Sequence, residues 1–198
     1  MSELFVFGEL GLRHILDPRG LDHVLFVIAL ACGYRAREWR ALLWVVSAFT
    51  IGHSMTLGLA VTGVVAFPAP LIEFLIPVTI VVTGVHGMLV APRVTGKEKW
   101  IRPAMAGGFG LIHGAGFANY LRSMFVDDVT VPLLGFNLGL EMGQLVVLSV
   151  ALAAFAIADA LLARAPIRAF TPVRVRGLAV SLGVTLIAAA WTVERIPW

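Results

Sequence analysis

Six apolar runs separated by short polar stretches organise the chain, and runs of about twenty apolar residues predict helices that cross a bilayer. The first, about Pro18 to Gly33, has Asp17 as an N-cap candidate, Pro18 at the first helical position and Gly33 as a C-terminal cap. Its purely apolar part, Val24 to Cys32, is short, which places Asp22 and His23 at the membrane edge or just beneath it. The second run is about Ala41 to Val64. The third is about Pro70 to Val90, with a kink expected at Pro77. The fourth, about Pro103 to Leu121, is rich in glycines that could mark a break. The fifth, about Pro132 to Leu162, is long enough to tilt or to extend beyond the bilayer. The sixth is about Val175 to Val193. Ahead of them, Leu4 to Leu16 is apolar but interrupted by Glu9, Arg13 and His14, and reads as an interfacial or re-entrant helix on the outer face.

Composition agrees with this pattern. Apolar residues make up 59% of the chain and the mean hydropathy is +0.92, far above soluble domains. The fold class expected is all-α: one integral membrane bundle of about six helices spanning residues 1–198. The net charge of +3 does not indicate a nucleic-acid partner, because the basic residues fall in alternate loops. Arg35, Arg37 and Arg40 occupy one, Arg93, Lys97, Lys99 and Arg102 the next, and Arg164, Arg168, Arg174 and Arg176 the third. The intervening loops carry almost no positive charge, so both termini are expected outside. Cys32 is the only cysteine, which excludes an intramolecular disulfide. The N-terminal residues have no basic stretch ahead of an apolar one, and no cleavable signal is expected.

Ionisable residues inside apolar runs change the picture most, since each costs roughly 3 kcal/mol at membrane depth and usually serves a function there. Depth estimates put Asp22, His23 and Glu73 at the outer ends of their spans. His53 and His113 lie near mid-membrane, Glu141 in the outer half, and His86 nearer the cytoplasm. Asn137, Glu141 and Gln144 share one face of the fifth run, beside a Gly135, Gly139, Gly143 stripe that permits close helix packing. Asn137 and Gln144 could equally be interhelical hydrogen-bond partners, but a buried carboxylate at Glu141 needs a counter-charge, a proton or a metal. Ser54 and Thr50 flank His53, where their hydroxyls can bond back to the helix. Asp127 and Asp128 read as ordinary outer-loop solvation. Histidine with carboxylate is the ligand set of a divalent transition metal, with nickel, zinc, cobalt and copper all admissible. There is no CxxC, HExxH or GxSxG motif.

Several separated blocks resemble the HupE/UreJ group of bacterial membrane proteins. These are His14-Ile-Leu with Gly20-Leu-Asp-His-Val-Leu-Phe26, Phe49-Thr-Ile-Gly-His-Ser-Met-Thr-Leu57, Ile72-Glu73 with Ile76, Phe109-Gly-Leu-Ile-His-Gly-Ala-Gly-Phe-Ala118, and Phe136-Asn-Leu-Gly-Leu-Glu-Met-Gly-Gln-Leu145. Late in the third span the chain departs from the family pattern, with His86-Gly87 where an acidic-Asn pair is expected. The resemblance implies a bacterial inner-membrane, multi-pass protein associated with nickel uptake.

The function expected is therefore a permease for a divalent transition metal, nickel first. Its ligands would come from Asp22, His23, His53, His113, Glu141 and His86, with Asn137, Gln144, Ser54, Glu73 and His14 in support. The alternative is an intramembrane zinc hydrolase or another fixed metal site, in which three ligands hold a metal that activates water. The partners expected are lipid and the metal ion. A second copy of the chain or a metallochaperone remains open from sequence.

Overall fold

The structure, a computed structural model, describes residues 2–18, 20–90, 96–124, 129–164 and 170–197. Arg93, Asp127, Asp128 and Arg168 lie outside the described residues. Seven α-helices and a short 3-10 turn at Ala36–Glu38 account for nearly all of them, with no strand among the described residues. The helices are α1 (Glu3–Leu16), α2 (Asp22–Ala31), α3 (Trp39–Val61), α4 (Ala69–Val90), α5 (Glu98–Arg122), α6 (Thr130–Leu162) and α7 (Pro172–Glu194).

Among the described residues, four stretches are long and apolar enough to cross a membrane: Ala36–Val61, Ala69–Val90, Thr130–Leu162 and Pro172–Glu194. Their ends follow local chemistry. Gly63 at φ 76° closes α3, a conformation that side chains with a Cβ resist. At α7 the Thr171 hydroxyl accepts from the Arg174 N–H at 3.3 Å, and Pro172 takes the first turn.

The glycine-rich fourth run is not broken. It forms one continuous 25-residue helix, α5, with Pro103 inside its first turns. Its glycines serve contact with α3. A Cβ at Gly110 would collide with the Phe49 carbonyl, one at Gly114 with that of His53, and one at Gly52 with that of Gly107. Close packing offsets the roughly 1 kcal/mol that each glycine costs a helix.

The first run differs from expectation. Its helical part is only the ten residues of α2, and the preceding helix does not lie across the bundle end. Instead α1 runs alongside α6 in the same direction: Leu4 backs onto Gly135, Gly8 onto Gly139 and Ile15 onto Gly143. The α6 glycine stripe is what admits it. Neither α1, with 14 residues, nor α2 reaches the ~20 needed to span alone. Together they form two halves of one broken path, interrupted between Leu16 and Asp22. The chain is extended at Asp17, as a residue before proline prefers.

Described residues from all three basic stretches meet at one end of the bundle, with Arg102 over the Tyr34 ring and Arg176 bonded to the Tyr34 carbonyl. There Arg176, 3% exposed, donates to the carbonyls of Cys32 (2.8 Å) and Tyr34 (3.0 Å), satisfying backbone groups beyond the end of α2. Its Nε and Nη2 also bond Asp159 on α6 at 2.7 and 3.1 Å. Two large apolar clusters and a small one of Ile72, Ile76 and Ala115 fill the interior. One large cluster, around Phe26, Leu42, Phe49 and Ile80, lies towards this basic end. The other, around Ile15, Leu57, Leu121 and Phe136, lies towards the opposite end.

Candidate metal centre

Four histidines from four helices meet where the two large apolar clusters join. His14 closes α1, His23 opens α2, His53 lies in the second half of α3 and His113 in that of α5. The ring centroids of His14 and His23 are 4.7 Å apart, those of His23 and His113 5.1 Å, and those of His23 and His53 5.7 Å. One ring nitrogen from each of His14, His23 and His53 lies within 4.8 Å of the others. His23, His53 and His113 are 6%, 0% and 1% exposed.

Their hydrogen bonding leaves these rings unfinished. Nε2 of His14 and His23, both nitrogens of His53 and Nδ1 of His113 are buried with no hydrogen-bond partner among the described residues. Such groups are expensive unless something else completes them. A metal ion does so, and the donor set, all imidazole nitrogen, fits a borderline divalent ion better than magnesium or calcium.

Thr79 orients His113. Its hydroxyl donates to the Ile76 carbonyl at 2.6 Å, so its lone pair faces His113 Nε2 at 2.9 Å and that nitrogen must carry the proton. The lone pair of His113 is then on Nδ1, the atom left without a partner. A ligating histidine commonly has its other nitrogen held in this way. Aromatic rings wall the cluster. Phe49 is 5.2 Å from His113 and 6.0 Å from His23, Phe26 is 5.0 Å from His113, and Phe117 is 4.0 Å from His14.

A cavity of about 280 Å³ leads to these rings from the end opposite the basic turns. His14, His23 and His113 lie at its depth, with Asp17, Asp22, Glu73 and Arg195 around it. Asp22 accepts from Arg195 at 3.1 Å. A second cleft of about 710 Å³, lined by Leu10, Arg13, Phe117 and Tyr120, also reaches His14 and Asp17.

The sequence-derived candidates divide accordingly. His23, His53 and His113 are brought together, and His14, expected only in support, stands among them. Asp22 and Glu73 line the cavity that leads there. Glu141 is not among the grouped ligand atoms: its Oε1 faces the Ser47 hydroxyl on α3 at 3.4 Å. The α6 face turned towards α1 belongs to the glycines, and the neighbouring positions, Glu141 and Gln144, are turned to α3. There Gln144 accepts from Thr50 at 2.8 Å, while its Nε2 and the Asn137 Oδ1 have no hydrogen-bond partner among the described residues. Ser54 neighbours His53 in α3 and is half-buried. His86 lies apart, 3.3 Å from Glu98 near the basic end. Thr79 was missed, although its spacing with Thr83 and His86 marks a polar face on α4.

No curated protein and no solved structure matches the chain. The family described as HupE / UreJ protein matches residues 1–195 of its 198. A family match over nearly the whole length, with the histidine blocks converging on one site, establishes that the chain belongs to the HupE/UreJ family.

Proposed function

We propose that this protein is a membrane permease for a divalent transition metal, with nickel the first candidate and cobalt, zinc and copper the others. The observation that carries the reading is the convergence of four histidines from separate helices, each with a buried ring nitrogen that has no hydrogen-bond partner among the described residues. Asp17, Asp22 and Glu73 draw a cation into the outer cavity by their charge. His23, at the hub, then accepts the ion with His14, His53 and His113. The break between α1 and α2 carries two of the four ligands, one on each side. A small rotation of either half-helix changes their spacing, which is how a site can load and release without unfolding. In this reading the basic turns face the cytoplasm and both termini the outside, as the positive-inside rule favours, and the family resemblance supports a bacterial inner membrane.

Uptake of Ni²⁺, Co²⁺ and Zn²⁺ into proteoliposomes tests this. Saturable flux in the wild type, lost in His23→Ala and His53→Ala alike, is the expected result. The second cleft beside His14 favours one other reading, a fixed metal site reached from the lipid. A metal retained on purification with no flux would select it.

A further inference from the structure

The polar face of α4 continues past the histidine cluster towards the basic end. Thr79, Thr83 and His86 follow i, i+4, i+7 spacing and so share one side of the helix. Thr79 and Thr83 are 3% and 4% exposed. The Thr83 hydroxyl donates to the Thr79 carbonyl at 2.8 Å, as Thr79 does to Ile76. With its proton committed, the Thr83 oxygen offers lone pairs to its surroundings, which suits a passing cation. Below it is a space of about 10 Å³ lined by Thr83, His86, Arg102 and Met105. That is about the room one water or one small ion requires.

Two residues that line this space, His86 and Arg102, both approach the carboxylate of Glu98, and the three form a triad. His86 Nε2 is 3.3 Å from Glu98 Oε2, and Arg102 Nε is 3.5 Å from the same oxygen. Neither approach is a formed hydrogen bond: Glu98 Oε2 and Arg102 Nε and Nη2 are all buried without a hydrogen-bond partner among the described residues. Arg102, 6% exposed, is held over the Tyr34 ring at 5.0 Å and against Gly33, where a Cβ would come within 2.9 Å of its Nη1. A carboxylate oxygen is thus shared by an imidazole and a guanidinium and fully satisfied by neither.

We propose that His86 and Glu98 form a second, transient binding site for the same divalent ion, reached from the histidine cluster along Thr79 and Thr83. Arg102 competes with the ion for Glu98. It neutralises the carboxylate when the site is empty and, by like-charge repulsion, shortens the ion's stay when the site is filled. This rests on the permease reading and deepens it, because a channel or carrier needs a weak site on its release side.

The test uses the purified full chain and Ni²⁺ alone. Equilibrium dialysis should find one nickel per chain in the wild type and in Arg102→Lys, and a second in Arg102→Gln. That second ion should vanish in the Arg102→Gln/Glu98→Gln double variant. In proteoliposomes, His86→Ala and Glu98→Gln should keep the first bound nickel yet transport about tenfold or more slowly. A single nickel in Arg102→Gln, with wild-type transport by His86→Ala and Glu98→Gln, would overturn the proposal and leave the triad as a clasp between α4 and α5. Should Arg102→Gln fail to fold, transport by the other two variants decides. Absence of nickel flux in the wild type would sink the permease reading instead, while the dialysis counts would still judge the second site.

Discussion

Thr79 decides which nitrogen of His113 faces the cluster. The hydroxyl has one proton and spends it on the Ile76 carbonyl, so the imidazole must donate to the oxygen that remains. Thr79→Val keeps the volume and removes that acceptor. Nickel affinity should fall about 10–100-fold, the usual loss when the group behind a ligating histidine is removed, with unfolding little changed. Titration calorimetry measures this, and unchanged affinity would detach Thr79 from the site. His14→Ala should abolish binding as fully as His23→Ala, since both rings offer an unpartnered Nε2. In the same assay Glu141→Gln, whose carboxylate faces Ser47, should bind nickel with at most a severalfold loss. The opposite ranking would return Glu141 to the ligand set in which its position in the sequence had put it. Residue identity made His23, His53 and His113 visible beforehand because an ionisable side chain in an apolar run stands out. Thr79 did not, because a helical threonine is ordinarily satisfied by its own backbone.

At the scale of the elements, glycines set the distances. The α3–α5 contact rests on Gly52, Gly110 and Gly114, and the α1–α6 contact on Gly8, Gly11, Gly135 and Gly139. Each pair brings a histidine-bearing helix against its neighbour: His53 and His113 across one contact, His14 across the other. In Gly114→Ala the new methyl would strike the His53 carbonyl, and overpacking of this kind costs about 1–3 kcal/mol. Thermal unfolding in detergent should show a transition several degrees lower, and nickel binding should weaken because His53 is displaced. Gly108→Ala, on the same helix with open space around its Cβ, should do neither. Equal behaviour of the two variants would show that helix propensity, not contact, explains these glycines. The α6 glycine stripe was legible as a packing face, but not that α1 would fill it. An amphipathic 14-residue helix carrying Glu9 and Arg13 fits a membrane surface as well as a glycine groove, and only the groove's shape selects between them.

For the whole molecule, the proposed loading would depend on pH through the same four rings. An imidazole must be deprotonated to ligate, so metal binding releases protons wherever the ring was charged beforehand. Apparent nickel affinity should therefore hold at neutral and alkaline pH and decline once the medium is acidic enough to protonate these buried rings. Equilibrium dialysis from about pH 8 down to the acid limit of folding checks it, and binding that stayed constant down to that limit would argue against imidazole ligation. The loop charges have two roles at this scale. Most mark the end of the bundle where the basic turns gather. Arg176 and Arg102 are buried, the first bonded to the carbonyls after α2 and the second beside Glu98. Charge counting along the chain treats all of these residues alike, because it cannot distinguish a solvated arginine from one folded back into the bundle.

What the sequence by itself determined is the class of the molecule and its stock of chemistry. The apolar runs predict an all-helical membrane bundle, the separated motif blocks mark the family, and the histidines within the runs bring imidazole nitrogens into the interior. These are legible because the cost of placing a polar group in an apolar setting is paid residue by residue. Tertiary structure alone decided that His14 joins the cluster while Glu141 turns to Ser47, and that α5 is continuous while the first path is broken. It also placed His86 in a separate triad with Glu98 and Arg102. Each outcome depends on the rotation and depth of one helix against another. Those are set by glycine contacts between segments far apart in the chain, and no local pattern of hydrophobic and polar positions encodes them.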